Sequence, residues 1–321
     1  MFSIDKKTEE GVEKVILKNE VTNNYAIIIP SFSAMLHEFS VIADNGLFNV
    51  IDSYQSSEDF KNNLVEKGFL GCKLSPFVCR ILNGKYTFRE KEYFLQKSLP
   101  AKHALHGELY DKAFTITSET ADQTRASVTM KYEYRAEDQG YPFNYDCSVT
   151  WKLENENKLT VITESTNKDQ EMIPMQDGWH PYFTLGDSID NLQLEFKADK
   201  MVEFNSELVP TKKLIEYKKF YHREKIGNTK LDNCFTLKFE DSQPLCMLRN
   251  AEKKIEVQIF PDESYPYLLI YTPKHRRSIA IENISSVPDA FNNGMGFITL
   301  KPGQSAHFKT TYKIKLLNKK S

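Results

Sequence analysis

Five residues in this chain have side chains suited to holding a small polar ligand and moving protons on it. The segment QDGWHPYFTLG, residues 176–186, sets His180 between Trp179 and the run Pro181-Tyr182-Phe183. Imidazole titrates nearest neutrality of all side chains, so it can give or take a proton at physiological pH. Pro181 pushes His180 towards extended backbone. Trp179 and Tyr182 offer flat apolar faces with polar tips, suited to stacking on a sugar ring. The same residues also describe a histidine packed into an aromatic core.

The other four lie far away in the chain. HALHGELYDKAF, residues 103–114, puts His106 before Gly107, which is either a turn where backbone approaches a ligand or a polar loop. In SIAIENISSVPDAFNNGMG, residues 278–296, Ile279 and Ile281 share one face of a short strand, so Ala280 and Glu282 face the other way. Glu282 is then a presented base or a solvated strand end. In GCKLSPFVCRILNGKYTF, residues 71–88, Arg80 stands between Val78 and Ile81, and Asn83-Gly84 forms a turn ahead of the strand Tyr86-Thr87-Phe88. Arg80 is either a surface guanidinium or a buried, paired cation. KLDNCF places Asp232 beside Asn233 at a strand start.

The elements that must position these groups are strands. Phe143, Tyr145, Cys147, Val149, Trp151 and Leu153 alternate with polar neighbours, and after the turn ENENK a second arm runs through Leu159, Val161 and Thr163. This is the pattern of a β-hairpin with one buried face. It recurs at Val128 to Tyr134, Leu192 to Phe196, Ile255 to Ile259 and Phe308 to Leu316. Only residues 50–68 have a helical composition. Many strands joined by short turns imply packed antiparallel sheets or a barrel. The expected fold is all-β, one large antiparallel β-sandwich with few short helices, forming a single domain over residues 1–321.

Bulk properties narrow the function. A net charge of −2 gives no field for nucleic acid or an anionic membrane. The longest apolar runs are strand-sized, well short of the roughly 20 residues a bilayer requires. The charged start MFSIDKKTEEGVEKV lacks an apolar core segment, so no secretion signal is read. Five cysteines without a C-x-x-C pair oppose a disulfide framework or a structural zinc site. The expected location is the cytoplasm.

In order along the chain, LSPFVCRILNGKY, LHG, WHPYFTL, LDNCF and AIEN…PDAFNNG resemble the motif series of the aldose 1-epimerase (galactose mutarotase) family, from about residue 71 to 296. The resemblance implies the galactose mutarotase-like supersandwich and the anomeric inversion of a free aldose, a hexose such as glucose or galactose. It implies Glu282 as general base on the anomeric hydroxyl, His180 as proton donor to the ring oxygen, and His106 as the group that polarises that oxygen. Arg80 and Asp232 would hold hydroxyls, with Trp179 and Tyr182 as stacking surfaces. No metal or other cofactor is required. The chain departs from the usual pattern at Cys79, where asparagine is common, at Glu108, where a second glycine is common, and at Asn283, where proline is frequent.

An ionised Glu282 with a protonated histidine predicts a bell-shaped pH dependence. Competing expectations are a sugar-phosphate 1-epimerase, a non-catalytic carbohydrate-binding protein, and a metal site built on His106, His180 and a carboxylate. The cations of KHRR, residues 274–277, fall in a turn at the far end of the Glu282 strand, where a phosphate near Glu282 is out of reach. The expected partner is a sugar, with no nucleic acid or membrane, and the expected state a monomer or homodimer.

Overall fold

Alternating burial organises the chain. In the strand Asn144–Glu154, Tyr145, Cys147, Val149, Trp151 and Leu153 are all buried. It pairs antiparallel with Lys158–Asn167, Leu153 opposite Leu159, as the hairpin pattern predicts. The computed structural model describes residues 1–44, 46–97 and 102–317.

Among the described residues two nine-stranded antiparallel sheets dominate, accompanied by a five-stranded sheet within the first 49 residues and three two-stranded ribbons. The hairpin belongs to one large sheet, which continues through Ser305–Leu316 to Ile255–Pro261. The other large sheet places Asp232–Thr236, Tyr267–Tyr271 and Ile279–Ile284 side by side. The short strands Gly178–Trp179 and Tyr182–Phe183 both lie against Ile279–Ile284. The four segments that carry Asp232, Tyr271, Glu282 and His180 are therefore neighbours in one sheet.

The two large sheets pack face to face. Trp151 meets Trp179 edge-on at 5.3 Å between ring centroids, and Phe183 meets Tyr312 at 5.6 Å. Each such aromatic ring removes roughly 150–250 Å² from water, stabilising the sandwich by a few kcal/mol at about 25 cal/mol per Å². This clamps the sheet that carries the site. Among the described residues no helix is long and apolar enough to cross a membrane.

The helix expected over 50–68 is much shorter, Ser57–Asn63, with Ser56 Oγ capping it by accepting from Asp59 N–H. Ile51–Asp52 is instead a strand paired with Tyr182–Phe183. Pairing with a distant segment overrides local composition here.

Candidate active site

Extended backbone sends neighbouring side chains to opposite faces, and that rule sorts the WHPY segment. His180 donates its backbone N–H to Cys72 O at 3.1 Å and accepts from Gly71 N–H at 2.8 Å, which pins it at the sheet edge. His180 and Tyr182, two apart, face the same cleft with their rings parallel at 5.2 Å. Tyr182 Oη donates to Gly68 O at 3.0 Å. Trp179 faces the other way. It is 2% exposed in the inter-sheet core, with Lys73 Nζ 4.6 Å from its ring centre. The stacking role expected of Trp179 is therefore not available to it; a tryptophan adjacent to a cleft-facing histidine in extended backbone belongs to the core.

His106 lies in left-handed backbone, φ 62°, and its N–H donates to Cys79 O at 2.6 Å. Its ring packs on Phe69 at 4.5 Å and stands edge-on to His180 at 5.0 Å. Gly107, φ 80°, is needed because a Cβ would lie 2.2 Å from Ser75 O. The close approach at this glycine is to another loop, not to a ligand. Glu282 projects from Ile279–Ile284 on the face opposite Ile279 and Ile281, which enter the main core. Its Oε1 is 3.4 Å from His180 Nε2. Arg80 Nη1 donates to Leu208 O at 3.0 Å, and Asp232 stands half-buried across the ladder from Tyr271.

Arg80, His106, His180, Tyr182, Asp232 and Glu282 line one cleft of about 240 Å³. At about 30 Å³ per water, that is room for roughly eight waters, the scale of one sugar ring. The motif reading missed Phe69 and Tyr271, which also line it. Tyr271 had a partial signal in the sequence, since it ends an apolar strand-sized run on the same face as Leu269; its place opposite Asp232 came only from the fold. Phe69, in left-handed backbone at φ 58°, left no trace in the sequence. Of the three departures from the family pattern, only Cys79 reaches the cleft. Burial raises its thiol well above the ordinary value, so it is not a thiolate nucleophile. Asn283 turns inward and accepts from Thr310 Oγ1 at 2.9 Å, while Glu108 is buried away from the cleft lining.

Burial decides the charges. It pushes Glu282 well above the usual carboxyl range, assisted by Asp232 and opposed by the Arg80 guanidinium. It pushes His180 down to about 3. His106 falls well below its ordinary value through burial, with His180 and Arg80 adding to the effect. Burial therefore favours the neutral acid at Glu282 and the neutral form of both imidazoles. Among the described residues, no three His, Cys, Asp or Glu side chains converge so as to share a metal ion.

The KHRR turn is split. Arg276 pairs with Asp190 and donates to Gly227 O at 2.6 Å. Lys274, His275 and Arg277 line a larger groove that meets the cleft at Gly68, Tyr182 and Tyr271.

The profile of the family described as Aldose 1-epimerase matches residues 14–313. The chain belongs to the aldose 1-epimerase family. It is thus an isomerase, acting in general terms as a mutarotase on a sugar. An aldose 1-epimerase from Streptococcus thermophilus is 25% identical, over 92% of this chain and 93% of that protein. A maltose epimerase from Levilactobacillus brevis is 20% identical over 95% of each. The solved structure of a galactose mutarotase-like protein from Clostridium acetobutylicum matches with a TM-score of 0.85 at 19% identity, covering 98% of this chain and 99% of that one. This last likeness establishes the shared fold of the epimerase.

Proposed function

We propose that the protein inverts the anomeric carbon of a free aldose, a hexose such as glucose or galactose, by general acid/base ring opening and reclosure. The observation that carries this reading is the set of unpartnered atoms in the cleft. His106 Nδ1, His180 Nδ1 and Glu282 Oε2 are buried with no hydrogen-bond partner among the described residues. Buried polar atoms are ordinarily paired. Three that are not, on side chains that all line one cleft of sugar size, suit a ligand rich in hydroxyls.

The chemistry needs a base at O1 and an acid at O5. A proton shift across the 3.4 Å Glu282–His180 contact turns the resting acid and imidazole into carboxylate and imidazolium without changing the net charge. Arg80 favours that form, since it acts to hold Glu282 ionised. Glu282 then takes the O1 proton as the C1–O5 bond breaks. The bonding pair goes to O5, which receives the His180 proton while His106 holds and polarises it. Rotation about C1–C2 presents the other carbonyl face. O5 attacks C1, returning its proton to His180, and Glu282 returns a proton to O1. Arg80 and Asp232 hold ring hydroxyls, and Tyr182 walls the sugar.

Because the active pair carries one proton, the rate is expected to show a broad plateau. It falls on the acid side as His180 gains a second proton, near pH 3, and on the alkaline side as Glu282 loses its proton, well above pH 4.5. Polarimetry of freshly dissolved α-D-glucose and α-D-galactose tests the reading. Acceleration by the folded protein, lost in Glu282→Gln, supports it. No acceleration of any free aldose rejects it.

A further inference from the structure

The motif PDAFNNG, residues 288–294, takes no part in the proton transfers. Asp289 precedes the short helix Ala290–Asn293 and is 3% exposed, in left-handed backbone at φ 59°. That conformation is costly for a residue with a side chain. A carboxyl at this position ordinarily caps its own helix by accepting from the first amides, and Asp289 makes no such bond. It reaches across to another segment instead. Asp289 Oδ1 accepts from Leu82 N–H at 2.9 Å, and Asp289 N–H donates to Arg80 O at 2.8 Å. The two bonds grip the strand Arg80–Ile81 at both ends. Asn292 adds a second tie, its Nδ2 donating to Asp289 Oδ1 at 2.7 Å and to Lys85 O at 2.9 Å. Resting on the epimerase reading above, we propose that Asp289 is a positioning residue, which fixes where the Arg80 guanidinium enters the cleft relative to Glu282.

Arg80 depends on such a clip. Its strand is two residues long and pairs with Ala104–Leu105. Among the described residues its guanidinium has one hydrogen bond, to Leu208 O at 3.0 Å, and no ion pair. A side chain so lightly tethered goes where its backbone puts it. The His106 loop also touches this segment, through His106 N–H to Cys79 O at 2.6 Å. That loop has an anchor of its own, since Glu108 N–H donates to Ser75 O at 2.7 Å. Loss of the Asp289 carboxyl therefore falls on Arg80. Arg80 in turn acts to hold Glu282 ionised and faces the sugar in the same cleft. One stretch of chain thus carries the acid/base carboxyl and, seven residues on, the clip for the cation that tunes it.

The test uses Asp289→Gly, Asp289→Asn, Arg80→Met and the double variant Asp289→Gly/Arg80→Met, with polarimetry of α-D-glucose and α-D-galactose. Glycine adopts left-handed backbone freely, so Asp289→Gly removes the carboxyl without adding strain. Asparagine keeps the Oδ1 acceptor and tolerates the same backbone. Asp289→Gly is expected to lower kcat/KM about tenfold, the scale of a misplaced group at a reacting centre, with Asp289→Asn within about twofold of wild type. In the Arg80→Met background Asp289→Gly should change kcat/KM by less than about twofold, because its effect runs through Arg80. Additive losses overturn the proposal, as does wild-type kcat/KM in Asp289→Gly. Asn292→Ala, at an exposed position, keeps the test open if Asp289→Gly unfolds. It should lower kcat/KM about threefold, the scale of one hydrogen bond, and only where Arg80 is present; no change rejects the clip. If the wild type anomerises no free aldose, the epimerase reading falls, and modification of Arg80 by phenylglyoxal, mapped by mass spectrometry, decides the clip. Faster modification in Asp289→Gly, with the wild-type rate restored in Asp289→Asn, upholds it; equal rates reject it.

Discussion

Asp177 and Glu282 are both fully buried carboxyls, and they are treated differently. Asp177 accepts from Lys73 Nζ at 2.6 Å and from Tyr265 Oη at 2.6 Å, while Lys73 also donates to Gly178 O at 3.0 Å. Among the described residues Glu282 has no cation in contact, only the Nε2 of an imidazole that burial keeps neutral. Burial is equal at the two sites, but charge compensation is not. Where the protein neutralises its own buried charge, the group ties together neighbouring segments of one sheet. Where it leaves the group uncompensated, the group is free to exchange its proton with something else.

The comparison is broken or sharpened by substitutions on each side. The largest expected effect is Glu282→Gln, which should lower kcat by about 10²–10⁴-fold. Its thermal midpoint should not fall, because an amide replaces a carboxyl whose burial already favours the neutral form. A variant that unfolds would place Glu282 with Asp177 as a structural group. Lys73→Met should do the opposite, destabilising by about 3–5 kcal/mol through the unpaired Asp177, read from urea unfolding, with KM unchanged in the fraction that folds. Adding Asp177→Leu should recover most of that loss, and failure to recover would show that the pair is more than mutual compensation.

A smaller effect concerns pH. The folded value of His180 is depressed to about 3 from 6.5. Its contribution is therefore fully present above pH 6.5 and is lost as pH falls towards 3. Between pH 7 and pH 5 the wild type should lose about 2 kcal/mol more stability than His180→Asn, from 1.36 kcal/mol per unit over about 1.5 units. Identical pH slopes would mean that His180 is hydrated rather than desolvated. The smallest expected change is in binding by Trp179→Phe. KM should stay within about twofold while stability falls by roughly 1–2 kcal/mol for the lost core volume. A several-fold rise in KM would return Trp179 to the sugar site.

Much of this was readable before folding. Alternation located the hairpin 144–167 and placed Glu282 opposite Ile279 and Ile281, because a period of two is a property of any extended strand. The same rule should have separated Trp179 from His180; composition, which favoured an aromatic platform, overrode it. The helix over 50–68 failed at its start, since nothing local in Val50-Ile51-Asp52 reveals a strand partner at 182–183.

By itself, then, the sequence determined which side chains are available, their order, and which face of a strand each occupies, since these follow from chemistry and local backbone geometry. Only the tertiary structure decided that Arg80, His106, His180, Asp232 and Glu282 share one cleft, and that a larger groove adjoins it. It also decided the charges. The desolvation that favours the acid form of Glu282 and the neutral imidazole of His180 comes from whatever packs around them, and those neighbours arrive from distant parts of the chain.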